Sequence, residues 1–131
     1  MSEEEASIFD NVRTAFITKR FVDINGKMVK SVKGIPSGSY FTQIIGSICN
    51  YLIMNTYIQS KGSRTVQRTR HLTMGDDNIT FTKFKLDIDD ASSYIRNNFG
   101  MVIHPDKCSS GNLLETPRVD FLSRTWLPGT A

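Results

Sequence analysis

Gly75-Asp76-Asp77 is the segment whose residue types are hardest to explain by structure alone. Adjacent carboxylates repel each other, and the end of a strand does not need them. An acidic turn does, however, place hard oxygen ligands on a rigid element. That suits Mg²⁺, which takes one or two carboxylates plus substrate phosphates rather than an all-protein cage. Two such ions can stabilise the attacking and leaving oxygens of a phosphoryl displacement. Gly and Asp are also ordinary turn formers, so the tripeptide read alone fits a plain turn. A second segment, Gly34-x-Pro36-Ser37-Gly38-x-x-x-Thr42, runs into a long apolar stretch carrying Asn50. A glycine-rich loop at a helix N-terminus offers free backbone N–H groups to phosphate or ribose. Ser37 and Thr42 add hydroxyls. The structural alternative is an N-cap loop, with Ser37 or Ser39 capping the helix.

These residues need elements to hold them. Ser2 and Glu5 form a capping-box pattern, and three acids occupy the first turn, where the helix dipole favours them. Ile8, Val12 and Phe16 follow at helical spacing, so residues 2–18 read as an amphipathic helix. Asn25-Gly26 between two β-rich runs predicts a hairpin. Over residues 40–60, Phe41, Ile44, Ile45, Ile48, Leu52 and Ile53 lie on most sides, which predicts a buried helix with Cys49 in its core. A second hairpin spans residues 66–81, with its tip at Gly75-Asp76-Asp77 and with Leu72 and Met74 on one face. Residues 87–98 read as a helix capped near Asp87 or Asp89, with Gly100 beyond its end. Met101-Val102-Ile103 reads as a short strand, residues 104–111 as a loop carrying Lys107, and residues 119–122 as a further strand. This order predicts an α+β fold, with helices packed on one face of an antiparallel sheet.

Composition excludes several classes. In 131 residues, 16 Lys and Arg face 13 Asp and Glu, giving a net charge of +3, with 39% hydrophobic residues. That is too apolar and too weakly charged for a disordered tail. The longest apolar run, 44–54, is interrupted by Gly46, Ser47 and Asn50 and falls short of the roughly 20 residues that span a bilayer. The acidic start Met1-Ser2-Glu3-Glu4-Glu5 does not fit a secretory or transit peptide. Cys49 and Cys108 make neither a disulfide framework nor a zinc set, and a reducing compartment is expected.

Together the two chemical segments resemble motifs B and C of the palm of viral RNA-dependent RNA polymerases. Gly34-Ile35-Pro36-Ser37-Gly38-Ser39-Tyr40-Phe41-Thr42-Gln43 is similar to motif B of the partitivirus-like, double-stranded-RNA virus group. Met74-Gly75-Asp76-Asp77-Asn78 is similar to motif C. Phe99-Gly100-Met101 through Pro105-Asp106-Lys107 is similar to motif D, and Phe121-Leu122-Ser123-Arg124 to motif E. The four occur in the family's order. The resemblance implies an incomplete, palm-like sheet: a partial palm over residues 1–131, with motif B at 34–50, motif C at 72–81, motif D at 89–108 and motif E at 118–126. Motif A, the fingers and most of the thumb are expected to be missing. Glu5 to Asp10 has motif A's spacing, but Glu replaces the first Asp and no strand precedes it.

The resemblance implies nucleotidyl transfer, in which a 3′-hydroxyl attacks the α-phosphate of an incoming NTP. Asp76 and Asp77 would bind Mg²⁺, with Mn²⁺ as a substitute. Lys107 would act as general acid toward pyrophosphate; otherwise it is a solvated loop lysine. Ser37, Gly38 and Thr42 would shape the wall for ribose and template, and Asn50, Gly75 and Arg124 would contact nucleotide or RNA. Related polymerases commonly carry Asn or Asp four residues after the motif B threonine, where this chain has Gly46. Asn50, one turn later, can substitute or can simply bridge to a neighbouring element. Lys61, Arg64, Arg68 and Arg70 form a basic stretch suited to RNA phosphates. Lys107 is expected to lower the pKa of Cys108. His71 and His104 read as loop or strand-face residues. The expected partners are RNA template and product, NTPs, the remainder of the polymerase and the capsid protein, in the host cytoplasm or the virus particle. The chain alone is expected to be inactive. The competing reading is a non-catalytic module that binds RNA or protein.

Overall fold

The computed structural model describes residues 2–39, 41–62, 69–112, 115 and 118–127. Tyr40, Arg64, Val66 and Arg68, invoked above, lie outside the described residues. The chain divides into two compact units, residues 1–45 and 46–131.

The first unit opens with α1 (Glu3–Ile17). Its capping box is complete: the Glu5 N–H donates to Ser2 Oγ at 3.2 Å, and the Ser2 N–H donates to Glu5 Oε2 at 2.7 Å. Two orphan donors are thereby satisfied. The expected apolar stripe is present, but Ile8, Phe9 and Val12 are exposed and Phe16 is only half-buried. Strands β1 (Lys19–Val22) and β2 (Met28–Ser31) pair antiparallel from Lys19↔Ser31 to Val22↔Met28. The connection is a five-residue loop rather than a two-residue Asn-Gly turn. The Asp23 carboxylate accepts from the N–H groups of Asn25 and Lys27 at 2.8 and 2.9 Å, and its carbonyl accepts from Gly26. An Asx turn therefore starts the loop two residues early, and only Gly26 takes a positive φ, 77°.

In the loop that follows, Thr42 Oγ1 donates to the Pro36 carbonyl. Gly38 has φ 79°, a conformation that glycine adopts without penalty. Helix α2 spans Thr42–Ser60. Ser39, rather than Ser37, serves its start: its Oγ accepts from the Phe41 N–H at 3.3 Å and its carbonyl from the Thr42 N–H at 3.0 Å.

In the second unit, α2 is followed by β3 (Arg70–Met74), β4 (Asp77–Phe81), α3 (Ile88–Phe99), a 3₁₀ turn (Pro105–Lys107), β5 (Val119–Phe121) and β6 (Arg124–Trp126). Helix α3 is capped by Asp87, whose Oδ1 accepts from the N–H groups of Asp89 and Asp90, and it ends at Gly100 with φ 64°. Tyr57 and Ile58 of α2 and Ala91 and Ile95 of α3 are buried; Met54, Phe84, Leu86 and Tyr94 pack around Tyr57, Ile58 and Ala91. Burying side chains of the size of Ile58 stabilises by roughly 1.5–3 kcal/mol each. The Tyr57 hydroxyl donates to Asp90 Oδ2 at 2.6 Å, and Lys61 reaches the same oxygen at 2.5 Å.

Four expectations change. Helix α2 is not buried all round: Ile44, Ile48 and Leu52 are 60%, 51% and 54% exposed, and its buried residues are Tyr57 and Ile58 near its end. Second, the β structure among the described residues is three separate two-stranded antiparallel hairpins rather than one sheet, although the class remains α+β. Third, residues 101–103 form no strand. The Ile103 carbonyl accepts from Ser92 Oγ at 3.3 Å, and Pro105, just beyond, has no N–H to offer a ladder. The predicted strand near Val119 is instead a hairpin, β5–β6. Its turn residues Leu122 and Ser123 both take positive φ, 54° and 58°, the pattern of a type I′ turn built without glycine. Among the described residues, no helix is long and apolar enough to cross a membrane.

Candidate active site

The β3–β4 register runs from Arg70↔Phe81 to Met74↔Asp77, leaving Gly75 and Asp76 as a two-residue turn. Gly75 has φ 62° and Asp76 has no positive φ. Positive φ at the first turn position alone is the type II′ pattern, which calls for glycine there. Asp76 therefore sits in the turn and Asp77 opens β4. Both are exposed, and among the described residues neither carboxylate takes a hydrogen bond.

What fixes this tip is a polar edge of α2. Ser47 Oγ accepts from the Gly75 N–H at 2.8 Å. Asn50 Nδ2 lies 3.2, 2.9 and 3.2 Å from the carbonyl oxygens of Gly75, Asp76 and Asp77. A Cβ added to Gly46 would stand 3.4 Å from Gly75 Cα, so the helix and turn backbones approach closely at this point. Gly46, Ser47 and Asn50 stand at i, i+1 and i+4, which places them on one side of the helix.

Behind this contact runs a chain of side-chain hydrogen bonds. Asn78 Nδ2 donates to Asn50 Oδ1 at 3.2 Å, and Thr80 Oγ1 donates to Asn78 Oδ1 at 2.6 Å. His71 Nδ1 lies 2.9 Å from Thr80 Oγ1. The one threonine proton is already committed to Asn78, so His71 Nδ1 carries the proton in that bond and Nε2 is left as the bare acceptor. Nε2 is buried without a partner among the described residues. Burial holds His71 below the ordinary histidine pKa, which favours the neutral ring with its proton on Nδ1. The Tyr51 ring meets it edge-on at 5.6 Å. By strand alternation His71, Thr73, Asn78 and Thr80 share one face and Leu72, Met74, Ile79 and Phe81 the other. Leu72 and Met74 thus share a face, as expected, and both are exposed.

The other expected site residues are placed as follows. Ser37, Gly38 and Thr42 belong to the first unit, where Ser37 is exposed and the Thr42 hydroxyl is taken up by Pro36. Lys107 is exposed in the 3₁₀ turn, its N–H bonded to the His104 carbonyl at 3.0 Å. Arg124 is exposed and opens β6. Of the basic stretch, Lys61 is engaged with Asp90 and stands 5.1 Å over the Tyr57 ring. The expectation for Cys108 reverses: partial burial of the thiol, then Asp106, push its pKa up. Ser47, Asn78, Thr80 and His71 do not stand out as a group in the sequence. The available signal was polar residues at i and i+3 on an otherwise apolar helix, matched by alternate polar residues on β4.

Two exposed carboxylates on a fixed turn meet the minimal demand of Mg²⁺, which keeps several waters and shares its sphere with substrate phosphates. Among the described residues no cluster of three or more His, Cys, Asp or Glu side chains could hold an ion unaided. A family model of viral RNA-dependent RNA polymerases matches residues 1–130, and the chain belongs to that family. It is also similar to the genome polyprotein of Ljunganvirus 1, at 34% identity over 100 residues. That match covers 74% of this chain and 4% of the polyprotein, so the chain corresponds to a small part of that relative. No solved structure matches it.

Proposed function

We propose that this chain is part of the palm of a viral RNA-directed RNA polymerase, with motif B at 34–50, motif C at 72–81, motif D at 89–108 and motif E at 118–126. The observation that carries this reading is the exposed Asp76–Asp77 pair on a turn tied down by Ser47 and Asn50. In it, Asp76 and Asp77 hold Mg²⁺, or Mn²⁺ in its place. The bound ions would supply charge neutralisation at the transferring phosphoryl group. Lys107 donates a proton toward the leaving pyrophosphate. Ser37, Gly38, Thr42 and Arg124 contribute contacts to ribose, template or product strand. Template, product and NTPs are the partners, together with the remainder of the polymerase and the capsid protein, in the host cytoplasm or the particle interior. The exposed apolar residues Ile44, Ile48, Leu52, Leu72 and Met74 support burial against further polymerase segments. The partitivirus-like placement rests on the segment Gly34 to Gln43; the similarity to the Ljunganvirus 1 polyprotein bears on the polymerase class and not on that group.

Isolated residues 1–131 are inactive in this reading. The test is nucleotide incorporation by a complete polymerase containing this segment, with and without Asp76→Asn, beside the 131-residue chain alone. Loss of incorporation by about a thousandfold or more is expected for the substitution, in line with removal of a group acting on the transition state. Full activity of the substituted polymerase would favour the non-catalytic binding module, and turnover by the chain alone would refute its inactivity.

A further inference from the structure

We propose that Asn50 is a positioning residue: its carboxamide fixes the main chain from Gly75 to Asp77 so that both carboxylates meet a divalent cation in one geometry. This rests on the metal role of Asp76 and Asp77 proposed above, and it assigns Asn50 a task other than touching ribose. Three successive turn carbonyls converge on one amide nitrogen at 2.9–3.2 Å, which defines the path of the turn residue by residue. The other end of the amide is also committed, since Oδ1 accepts from Asn78. A flipped amide would set its oxygen against three carbonyl oxygens and its NH₂ against the NH₂ of Asn78. The Asn78 amide is in turn oriented by Thr80 and His71, so the bond directions from His71 to the tip are mutually consistent. Ser47 holds the same turn from the donor side, through the Gly75 N–H. Everything the Asn50 Nδ2 group grips is backbone, and its one side-chain partner, Asn78, carries no charge. Asn50 therefore acts on the carboxylates only through the path of the chain that carries them.

The test uses the 131-residue chain, Mn²⁺ titration followed by electron paramagnetic resonance, and amide hydrogen exchange. The variants are Asn50→Leu, which keeps the approximate shape and removes the donors, Ser47→Ala and Asp76→Asn. Asn50→Leu is expected to weaken Mn²⁺ binding about tenfold and to speed exchange at residues 75–77 about tenfold, with exchange in α3 unchanged. Ser47→Ala, which removes the hydroxyl that accepts from the Gly75 N–H, is expected to give a few-fold change in both. It keeps the proposal testable if Asn50→Leu does not fold. Wild-type Mn²⁺ affinity in Asn50→Leu or, should that variant not fold, in Ser47→Ala overturns the proposal, even where the melting temperature has fallen. If Asp76→Asn leaves Mn²⁺ binding unchanged, the cation reading falls. Exchange at residues 75–77 then decides the positioning claim by itself: unchanged exchange in Asn50→Leu overturns it and faster exchange supports it.

Discussion

Replacing Gly46 by alanine is expected to stabilise this protein, and replacing it by asparagine to destabilise it. Gly46 lies inside α2, where glycine costs about 0.8–1 kcal/mol relative to alanine. The added Cβ would stand 3.4, 3.6 and 3.7 Å from Cα, C and O of Gly75. These are ordinary contacts at the near edge of the roughly 3.5–4.0 Å optimum, so they return only a few tenths of the gain. The net is about +0.5 to +1 kcal/mol, or roughly 2–4 °C in melting temperature. Asparagine has nearly the same helix propensity as glycine, so it gains little there. Its carboxamide must be accommodated where the turn backbone already walls the Cβ, and overpacking of that kind costs about 1–3 kcal/mol. The expected order of melting temperatures by circular dichroism is therefore Ala above Gly above Asn. A several-degree loss in Gly46→Ala would refute the contact distances, and equal stability of the two variants would refute the close approach itself.

Other perturbations follow from the same structure. His71 is held neutral by burial, with Tyr51 and Thr80 against it; its stabilising effect is complete above the unfolded value near 6.5 and is lost as pH falls toward its lowered folded value. Melting curves of the wild type and His71→Gln are expected to diverge least in acid, and a constant difference from pH 7.5 to 5 would contradict this. Tyr57→Phe removes the hydroxyl bonded to Asp90 and is expected to lower the melting temperature by about 3 °C, whereas Lys61→Met, which removes a half-exposed ion pair, is expected to change it by no more than about 1 °C. Equal losses would mean that the half-exposed pair contributes as much as the Tyr57 hydroxyl, against this ranking. The double substitution L122N/S123G places the preferred type I′ residues in the β5–β6 turn and is expected to raise the melting temperature by roughly 2–4 °C; a decrease would argue against the left-handed assignment.

The local signals were legible because each is carried by a few neighbouring residues. The Ser2–Glu5 capping box, the Asp87 cap, the Gly100 stop and the Gly75 turn all fall where spacing puts them. The Asn25-Gly26 pair marks a hairpin but not its length, because the Asp23 side chain competes for the same backbone donors. Strand association is non-local, and residues 101–103 were apolar enough to suggest a strand without containing any information about a partner. The apolar pattern of α2 overstates its burial for a similar reason: periodicity reports which residues are apolar, not whether a neighbour covers them. At the site, the acids and the glycine were visible as types. The role of Asn50 depends on carbonyls more than twenty residues away in sequence, and no spacing rule reaches that far.

The grip on the acidic bend reads only main-chain oxygens and one main-chain N–H, which every residue type except proline supplies alike. Apart from the glycine that the turn demands at position 75, shape and charge at this corner are therefore written in separate parts of the sequence. The acids can be exchanged for amides, or for one another's longer homologues, while the loop keeps its course. Drift in α2 or on the inner face of the hairpin, by contrast, would move the acids without altering them.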